Sequence, residues 1–330
     1  MSSDDLSGKT VLLIAARFFG YEKAIATELR RRGAIVDLLA DRPFDTPIMK
    51  AVTRFMPSLV MKPAEKLYHK QLGAYGRSQY DIILIVNGQT VSSAMLNSIK
   101  HDFPGAKYIL YMWDSFQNRA GALANLGFFD RCLTFDPDCA KRYGLIARPL
   151  FFSPGFSTEL PTDFAYAISF IGTMHTDRFA VLSQIDAQLA PETKRFWYLY
   201  LQAPWVFHVY RLTNRSFSGA KIEQFAFEAL AKQKVQEVFS QSRSILDIEH
   251  PRQTGLTIRT LETVGASRKL ITTNSRVSEY DFYNPSNICV IDRERPKLPE
   301  RFLETEYEPV PPTIYSRYSI SGWMDEVLGG

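Results

Sequence analysis

Short apolar runs alternate with amphipathic stretches through the first half of the chain. Thr10 to Ala15 is an almost wholly apolar run that predicts a buried strand, and the helical spacing from about Tyr21 to Arg32 ends at Gly33. Ala34 to Leu39 predicts the next strand and completes a βαβ unit. Further strands are predicted at 80–86, 107–111 and 132–135. This alternation predicts an open α/β domain with a parallel sheet.

The second half contains a strand, a turn with glycine, a helix and another strand. Ile245 to Ile248 and Leu270 to Thr273 are β-prone runs separated by roughly 20 residues, which suits a βαβ crossover. Helical spacing is shown by Leu256, Ile258, Leu261 and Val264. Thr254 or Thr257 is predicted to cap this helix, and Gly265 to end it.

The turn between the strand Ile245 to Ile248 and the helix that follows it carries free backbone N–H groups and two arginines. A helix N-terminus favours an anion, and Arg252 and Arg259 can bind a diphosphate with their forked guanidinium groups. Glu262 lies about two turns into the helix, where its carboxylate can accept hydrogen bonds from ribose hydroxyls. An ordinary βαβ unit with a solvated, arginine-rich turn explains the same local sequence equally well.

The segment Pro251 to Glu262, followed by Lys269 to Asn274, resembles the donor-binding segment of bacterial GT-B glycosyltransferases of lipopolysaccharide, capsule and exopolysaccharide synthesis. The resemblance implies two Rossmann-like domains that face each other across a cleft. It also implies that the C-terminal domain binds a sugar nucleotide, with Glu262 on the ribose. The implied phosphate neighbours are Thr254, Gly255, Leu256 and Thr257. Many retaining relatives carry a glutamate where this chain has Gly255, so retention and inversion both stay open.

A second junction, Ile168 to Arg178, predicts a strand, a glycine turn and a helix start, and it resembles the first βα turn of GT-B donor domains. His175 is expected near the diphosphate or donor sugar, or else in a surface or capping role. The predicted donor-binding residues are Gly172, Thr173, His175, Arg178, Arg252, Gln253, Thr254, Gly255, Leu256, Thr257, Arg259 and Glu262. The histidines show no metal-ligand spacing, so no metal site is predicted.

The N-terminal strands end in polar or unusual residues, which are expected at one rim because the carboxyl ends of parallel strands share an edge. The predicted acceptor-side residues are Phe19, Gly20, Asn87, Gln89 and Trp113. Asp114 is the preferred catalytic base, because it follows an apolar strand and a tryptophan, a setting that raises a carboxyl pKa. Helix capping is the competing interpretation. The first turn lacks GxGxxG, so a nicotinamide cofactor is not expected.

Asp136-Pro-Asp138 has the Asp-x-Asp spacing with which glycosyltransferases of the other major fold hold a divalent ion. Pro137 and Asp138 also suit the first turn of a helix, and this capping interpretation is favoured. In a GT-B enzyme, a helix dipole and arginines can replace the ion.

Length, charge and cysteine content indicate which classes of protein fit this chain. The 330 residues suffice for two domains, and the net charge of +4 is too small to indicate nucleic-acid binding. Three cysteines without metal spacing favour a reducing compartment. The polar start, Met1 to Asp5, and the lack of an apolar run near the roughly 20 residues that span a bilayer predict a soluble cytoplasmic protein.

The segment Phe152 to Pro161 is rich in proline and glycine and predicts a linker. The predicted domains are 1–155 for the acceptor and 165–308 for the sugar nucleotide, and 309–330 is expected to cross back to the N-terminal domain. Two stretches, a basic amphipathic one at 48–72 and an aromatic one at 196–210, have features of segments that attach a protein peripherally to the inner membrane. Core packing and a solvated lysine face are the favoured interpretation of both.

These patterns together predict a metal-independent glycosyltransferase that needs no cofactor and uses a nucleotide sugar as a substrate. The acceptor is expected to be a glycan or a lipid-linked molecule in bacterial surface polysaccharide synthesis. A nucleotide-sugar epimerase and a non-catalytic binding protein of the same fold are the alternatives.

Overall fold

The computed structural model describes residues 5–17, 19–41, 57–116, 120–156, 163–299 and 301–329. The chain divides into two compact units, Met1–Pro149 with Ile320–Gly330, and Leu150–Ser319. Of the predicted C-terminal segment 309–330, only residues from Ile320 onward belong to the first unit, and residues up to Ser319 belong to the second. Residues 157–161 of the predicted linker lie outside the described part.

Parallel strands form the sheet of the first unit. They are β1 (Thr10–Ala15), β2 (Ile35–Ala40), β3 (Ile82–Val86), β4 (Lys107–Met112), β5 (Arg131–Thr134) and β6 (Ile146–Ala147). Their order is β2-β1-β3-β4-β5-β6, so the sheet grows in opposite directions from β1 and β3. The apolar runs become buried strands, since every residue of β1 from Val11 onward is buried.

Helices connect these strands. They are α1 (Tyr21–Arg31), α2 (Pro57–Tyr75), α3 (Ser93–Asp102), α4 (Ala120–Leu123) and α5 (Pro137–Tyr143). The described part of the stretch 48–72 lies in α2, where Ala64 and Tyr68 are buried, and residues 48–56 lie outside the described part. No helix among the described residues is long and apolar enough to cross a bilayer.

The last helix, α11 (Ile320–Leu328), packs within the first unit. Trp323 is fully buried, and its ring centroid lies 4.8 Å from that of Tyr111 in an edge-to-face arrangement. Arg32 donates to Asp325 at 2.5 Å and to Glu28 at 2.9 Å. The C-terminal helix is thus held by both apolar and ionic contacts.

The second unit has the same architecture. Its strands are β7 (Tyr166–Thr173), β8 (Arg195–Tyr200), β9 (Phe225–Ala226), β10 (Ser242–Asp247), β11 (Lys269–Thr272) and β12 (Ile288–Val290). Its helices are α6 (Arg178–Asp186), α7 (Pro204–Thr213), α8 (Lys232–Ser240), α9 (Ile258–Gly265) and α10 (Pro312–Arg317). The parallel order β12-β11-β10-β7-β8-β9 is that of a Rossmann fold. The predicted class of two Rossmann-like domains is therefore confirmed.

Gly265 has a different role from the predicted one. It is the last residue of α9, and the left-handed residue beyond the helix is Ser267, with a φ of 54°. The helix therefore ends at Gly265 as predicted, but a Cβ on Gly265 would lie 2.4 Å from the Phe152 ring, so the glycine is needed for close packing and not for a left-handed conformation. Phe152 pairs with Ser319 in an isolated bridge near the end of this unit.

Candidate functional site

Chain order reverses between the neighbouring strands β7 and β10 of the second unit. In open α/β sheets, ligands bind outside the carboxyl ends of the strands at such a switch point. The segments that follow these two strands are residues 174–177 and 248–257. Both predicted donor junctions therefore meet at the place where the topology favours a ligand.

A buried carboxylate anchors the second of these segments. Asp247 ends β10 with no exposed surface, and it accepts hydrogen bonds from the hydroxyls of Thr257 and Thr260. Arg259 Nη1 donates to the same carboxylate at 2.9 Å. Thr257 is also the N-cap of α9, because its Oγ1 accepts from the Thr260 N–H at 3.2 Å. Asp247 thus fixes the first turn of α9.

Arg259 reaches from α9 to the end of β7. Its guanidinium carbon lies 5.3 Å from the centroid of the Phe170 ring, a cation–π distance. A Cβ on Gly172 would lie 3.0 Å from Arg259 Nη2 and 2.9 Å from the Phe170 ring. Glycine at 172 therefore leaves the space that Arg259 occupies, and two predicted donor residues from separate junctions are brought together.

Arg178 ties the two segments to each other. It is buried, and it donates from Nε to the carbonyl of Ile248 at 2.5 Å and from Nη1 to the carbonyl of Thr173 at 2.8 Å. Burial, followed by the charge of Arg259, lowers the pKa of Arg178 to about 10, so this guanidinium remains protonated at neutral pH. Asp247 compensates for the charge of Arg259, so Arg178 is the cation of this pair that favours an anion at the strand edge.

Two histidine rings lie beside these arginines. The centroids of His175 and His250 are 5.5 Å apart, and His250 Nδ1 accepts from the Arg252 N–H at 3.2 Å. Burial first, and the charge of Arg178 second, lower the pKa of His175 to about 3 and lower that of His250 below its usual value. Both rings are therefore neutral at pH 7 and can donate a hydrogen bond to an anion.

The remaining donor residues differ in accessibility. Glu262 is buried in the second turn of α9, whereas Arg252 is exposed. The Gly255 carbonyl accepts from Gln253 Nε2 at 3.0 Å, which shapes the turn. Thr254 Oγ1 is buried and has no hydrogen-bond partner among the described residues, so the turn must shift before this hydroxyl can reach a ligand.

Arg293, which follows β12, holds three strand ends together and was not predicted from the sequence. Its Nη1 donates to Asp177 at 2.8 Å, and its Nη2 donates to Glu249 at 2.6 Å and to Thr273 at 3.2 Å. Burial alone would raise the pKa of Asp177, but the Arg293 hydrogen bonds outweigh it and the pKa is lowered. Arg293 therefore stabilises the loops that carry His175 and His250.

The predicted acceptor residues lie at the switch point of the first sheet, between β1 and β3. Asn87 is buried with a φ of 70°, and its Oδ1 accepts from the Trp113 N–H at 3.1 Å. The Gln89 N–H donates to the buried carboxylate of Asp41 at 2.9 Å. These contacts fix the ends of β2, β3 and β4 relative to one another.

An aromatic residue and a helix start complete this rim. Phe19 is 55% exposed, and Gly20, with a φ of 76°, precedes the first turn of α1. Glycine is suited to this left-handed position.

Asp114, the predicted base, and the Asp136-Pro-Asp138 segment, considered for a metal ion or a helix cap, have different local roles. Asp114 lies just after β4, and its Oδ1 accepts from the Ser115 N–H at 2.9 Å. Asp136, rather than Asp138, caps α5, because its Oδ1 accepts from the N–H groups of Asp138 and Cys139 at 2.9 and 3.0 Å. Among the described side chains, no group of three or more His, Cys, Asp or Glu is arranged to hold a metal ion.

Solved structures of one protein are similar to this chain in fold. Anabaena Alr3699/HepE in complex with UDP and glucose has a TM-score of 0.60 and 10% identity, covering 97% of this chain and 98% of that chain. The complex with UDP-glucose gives a TM-score of 0.59 and 9% identity over the same shares. The complex with UDP alone gives 0.52 and 10%, covering 97% and 94%.

At this level of identity, the similarity supports the GT-B fold. No protein-family model and no curated protein matches this chain.

His175 makes the stability of the fold sensitive to acid. The pKa of His175 is about 3 in the folded chain and near 6.5 in the unfolded chain. Above about pH 6.5, protonation of this histidine therefore costs the fold no stability. Below it, the unfolded chain takes up a proton that the folded chain does not, and stability falls. Chemical unfolding at pH 7 and pH 5 should show that His175→Gln reduces this loss by about 1 kcal/mol, less than the full shift implies because the ring is partly exposed.

The exposed His101 supplies the control, since its side chain is 89% accessible. His101→Gln should keep the acid sensitivity of the unchanged protein. Equal losses in the His175 variant and the unchanged protein would contradict the burial of a neutral ring.

Proposed function

We propose that this chain is a glycosyltransferase that moves a sugar from a nucleotide-sugar donor to a glycan or lipid-linked acceptor. The observation that carries the proposal is the convergence of Arg178, Arg259, two neutral histidines and the N-terminus of α9 at the switch point of the second unit. A diphosphate supplies the negative charge that such a cluster attracts. The binding of UDP and UDP-glucose by a protein of similar fold supports it.

The roles of the donor residues follow from their positions. The diphosphate would lie against the first turn of α9, where N–H groups without helical partners and Arg259 favour negative charge. Glu262 lies five residues beyond the cap Thr257, which places it about 7 Å further along the helix axis. That spacing suits a carboxylate on the ribose when the phosphates lie at the helix start.

Asp114 would act as the base on the acceptor side. Inversion at the anomeric carbon requires the acceptor hydroxyl to lose a proton as it attacks, and a carboxylate at the rim can accept it. Asn87 positions the backbone next to Asp114 through its bond to the Trp113 N–H. The exposed Phe19 would offer an aromatic face to a sugar ring.

Arginines and the helix N-terminus would stabilise the charge on the leaving diphosphate, which is the role a divalent ion has in other glycosyltransferases. The proposed reaction is therefore metal-independent and needs no cofactor beyond its substrates. Bacterial surface polysaccharide synthesis in the cytoplasm, at the inner membrane when the acceptor is lipid-linked, is the setting we propose.

The donor role can be tested with a thermal-shift panel of UDP, GDP, dTDP and CMP sugars. A true donor should stabilise the chain by about 2.7 kcal/mol at a hundred times its Kd. In calorimetry, Glu262→Ala should weaken its binding at least tenfold, because one or more charge-assisted hydrogen bonds of about 1.5–3 kcal/mol are lost.

Glu237→Ala is the matched control, since Glu237 lies on α8 in an exposed pair with Lys234. It should leave nucleotide affinity unchanged. Equal affinity in the Glu262 variant would remove the ribose role, and the absence of any nucleotide response would overturn the proposed function.

The catalytic role of Asp114 predicts a separation of turnover from binding. Asp114→Asn should lower kcat by about 10² to 10⁴-fold while nucleotide affinity is kept, because general-base catalysis contributes on that order. Asp138→Asn, in the first turn of α5, is the control and should retain most activity. A fully active Asp114 variant would contradict the base, and product formed without an acceptor would indicate epimerisation instead.

A further inference from the structure

Exposed apolar side chains are concentrated on α7. Trp205 is 67% exposed, Val209 43% and Leu212 88%, and their spacing of four and three residues places them along one face. We refer to these three residues as the apolar stripe. The opposite face carries Val206 and Phe207, which are buried in the core of the second unit. A helix that buries one apolar face and exposes another offers the exposed face to a partner.

The stretch around the apolar stripe carries one sign of charge. Residues 194–222 include five Lys and Arg and no Asp or Glu, although Asp and Glu make up 35 of the 330 residues of the chain. At about one acidic residue in nine, a stretch of this length would ordinarily carry about three. Arg211, Arg215 and Lys221 are exposed, so the surface around the apolar stripe is locally positive.

An open cavity of about 560 Å³ adjoins the apolar stripe. Arg211 and Lys221 line it together with Leu212 and Ile222, and Glu223 is the acidic residue at its wall. Arg211 Nη1 donates to the Ala220 carbonyl at 2.6 Å, which fixes the arginine at this place. Basic and apolar side chains therefore share one concave surface.

The same surface is connected to the candidate donor site. Asn214, directly after α7, donates from Nδ2 to the carbonyl of Thr176 at 2.6 Å. Thr176 follows His175 and has a φ of 53°, so the hydrogen bond stabilises an unusual backbone conformation beside the histidine pair. A partner held at α7 would lie close to the turn that carries His175.

We infer that α7 docks on an anionic phospholipid bilayer, with the apolar stripe in the interface and Arg211, Arg215 and Lys221 on phosphate headgroups. Tryptophan and leucine on one face with basic residues around them match the chemistry of an interfacial helix. The inference rests on the proposed function in that a lipid-linked acceptor would require the chain to bind at a membrane. The inference assigns the membrane attachment of the chain to helix α7.

Vesicle flotation of the full chain tests the inference. The protein should float with vesicles that contain about 30% phosphatidylglycerol and remain behind with pure phosphatidylcholine, since basic residues attract only the anionic surface. Trp205→Ser with Leu212→Ser should reduce the bound fraction at least tenfold. Arg215→Gln with Lys221→Gln should weaken binding about fivefold for each charge removed.

Ile35→Ser with Ile146→Ser is the control, because these exposed apolar residues, at 48% and 40%, lie in the edge strands of the first unit. That variant should float like the unchanged protein. The inference is overturned if the unchanged chain does not float, or if the Trp205 and Leu212 variant floats equally well. It is also overturned if sedimentation shows that the apolar stripe joins two copies of the chain without lipid.

A nucleotide thermal shift on the same proteins separates the two proposals. Lost flotation with a normal nucleotide response in the stripe variant would support the surface and leave the proposed function unaffected. Flotation without any nucleotide response in the unchanged chain would support the surface and contradict the donor site.

Discussion

The carboxylate of Asp247 has no contact with solvent, and a buried charge of this kind is stable only when nearby groups compensate for it. Two threonine hydroxyls and the guanidinium of Arg259 do so, and all three belong to the cap and first turn of α9. The end of β10 and the start of α9 are consequently fixed together. Removal of Arg259 would leave the carboxylate of Asp247 without a counter-charge in the interior, so Asp247 and Arg259 hold each other in place.

The electrostatics of the site follow from that arrangement. Arg259 is held near Gly172, and Arg178 is held by the carbonyls of Ile248 and Thr173, so two guanidinium groups lie at the switch point. Burial first, and the charge of Arg178 second, lower the pKa of both histidines and keep the pair neutral at pH 7. Arg293 pairs with both Asp177 and Glu249 and so compensates for part of their negative charge.

Much of the fold could be predicted from local pattern. The apolar run Thr10–Ala15 is β1 residue for residue, and β2 to β5, β7, β10 and β11 were also located because a buried parallel strand is a short continuous apolar run. The strands β6, β8, β9 and β12 were not predicted. Strand order could not be predicted, since it depends on pairing between distant segments. The switch points became visible only with the order of the two sheets.

Only some residues of the candidate site could be predicted from local sequence. Gly172, Arg178 and Arg259 stand near glycine turns that local sequence marks, whereas Asp247 looks like an ordinary strand end until its partners ten to thirteen residues later are placed around it. Arg293 is remote in sequence from the loops it holds. Gly265 was correctly predicted to end α9, but the close approach of Phe152, which requires a glycine there, has no local signal.

A crystal structure of the full chain with bound UDP tests the central claim most directly. The diphosphate is expected at the carboxyl ends of β7 and β10, within hydrogen-bond distance of the first turn of α9 or of the Arg259 guanidinium. A diphosphate bound elsewhere on the chain, with this strand edge empty, would contradict it.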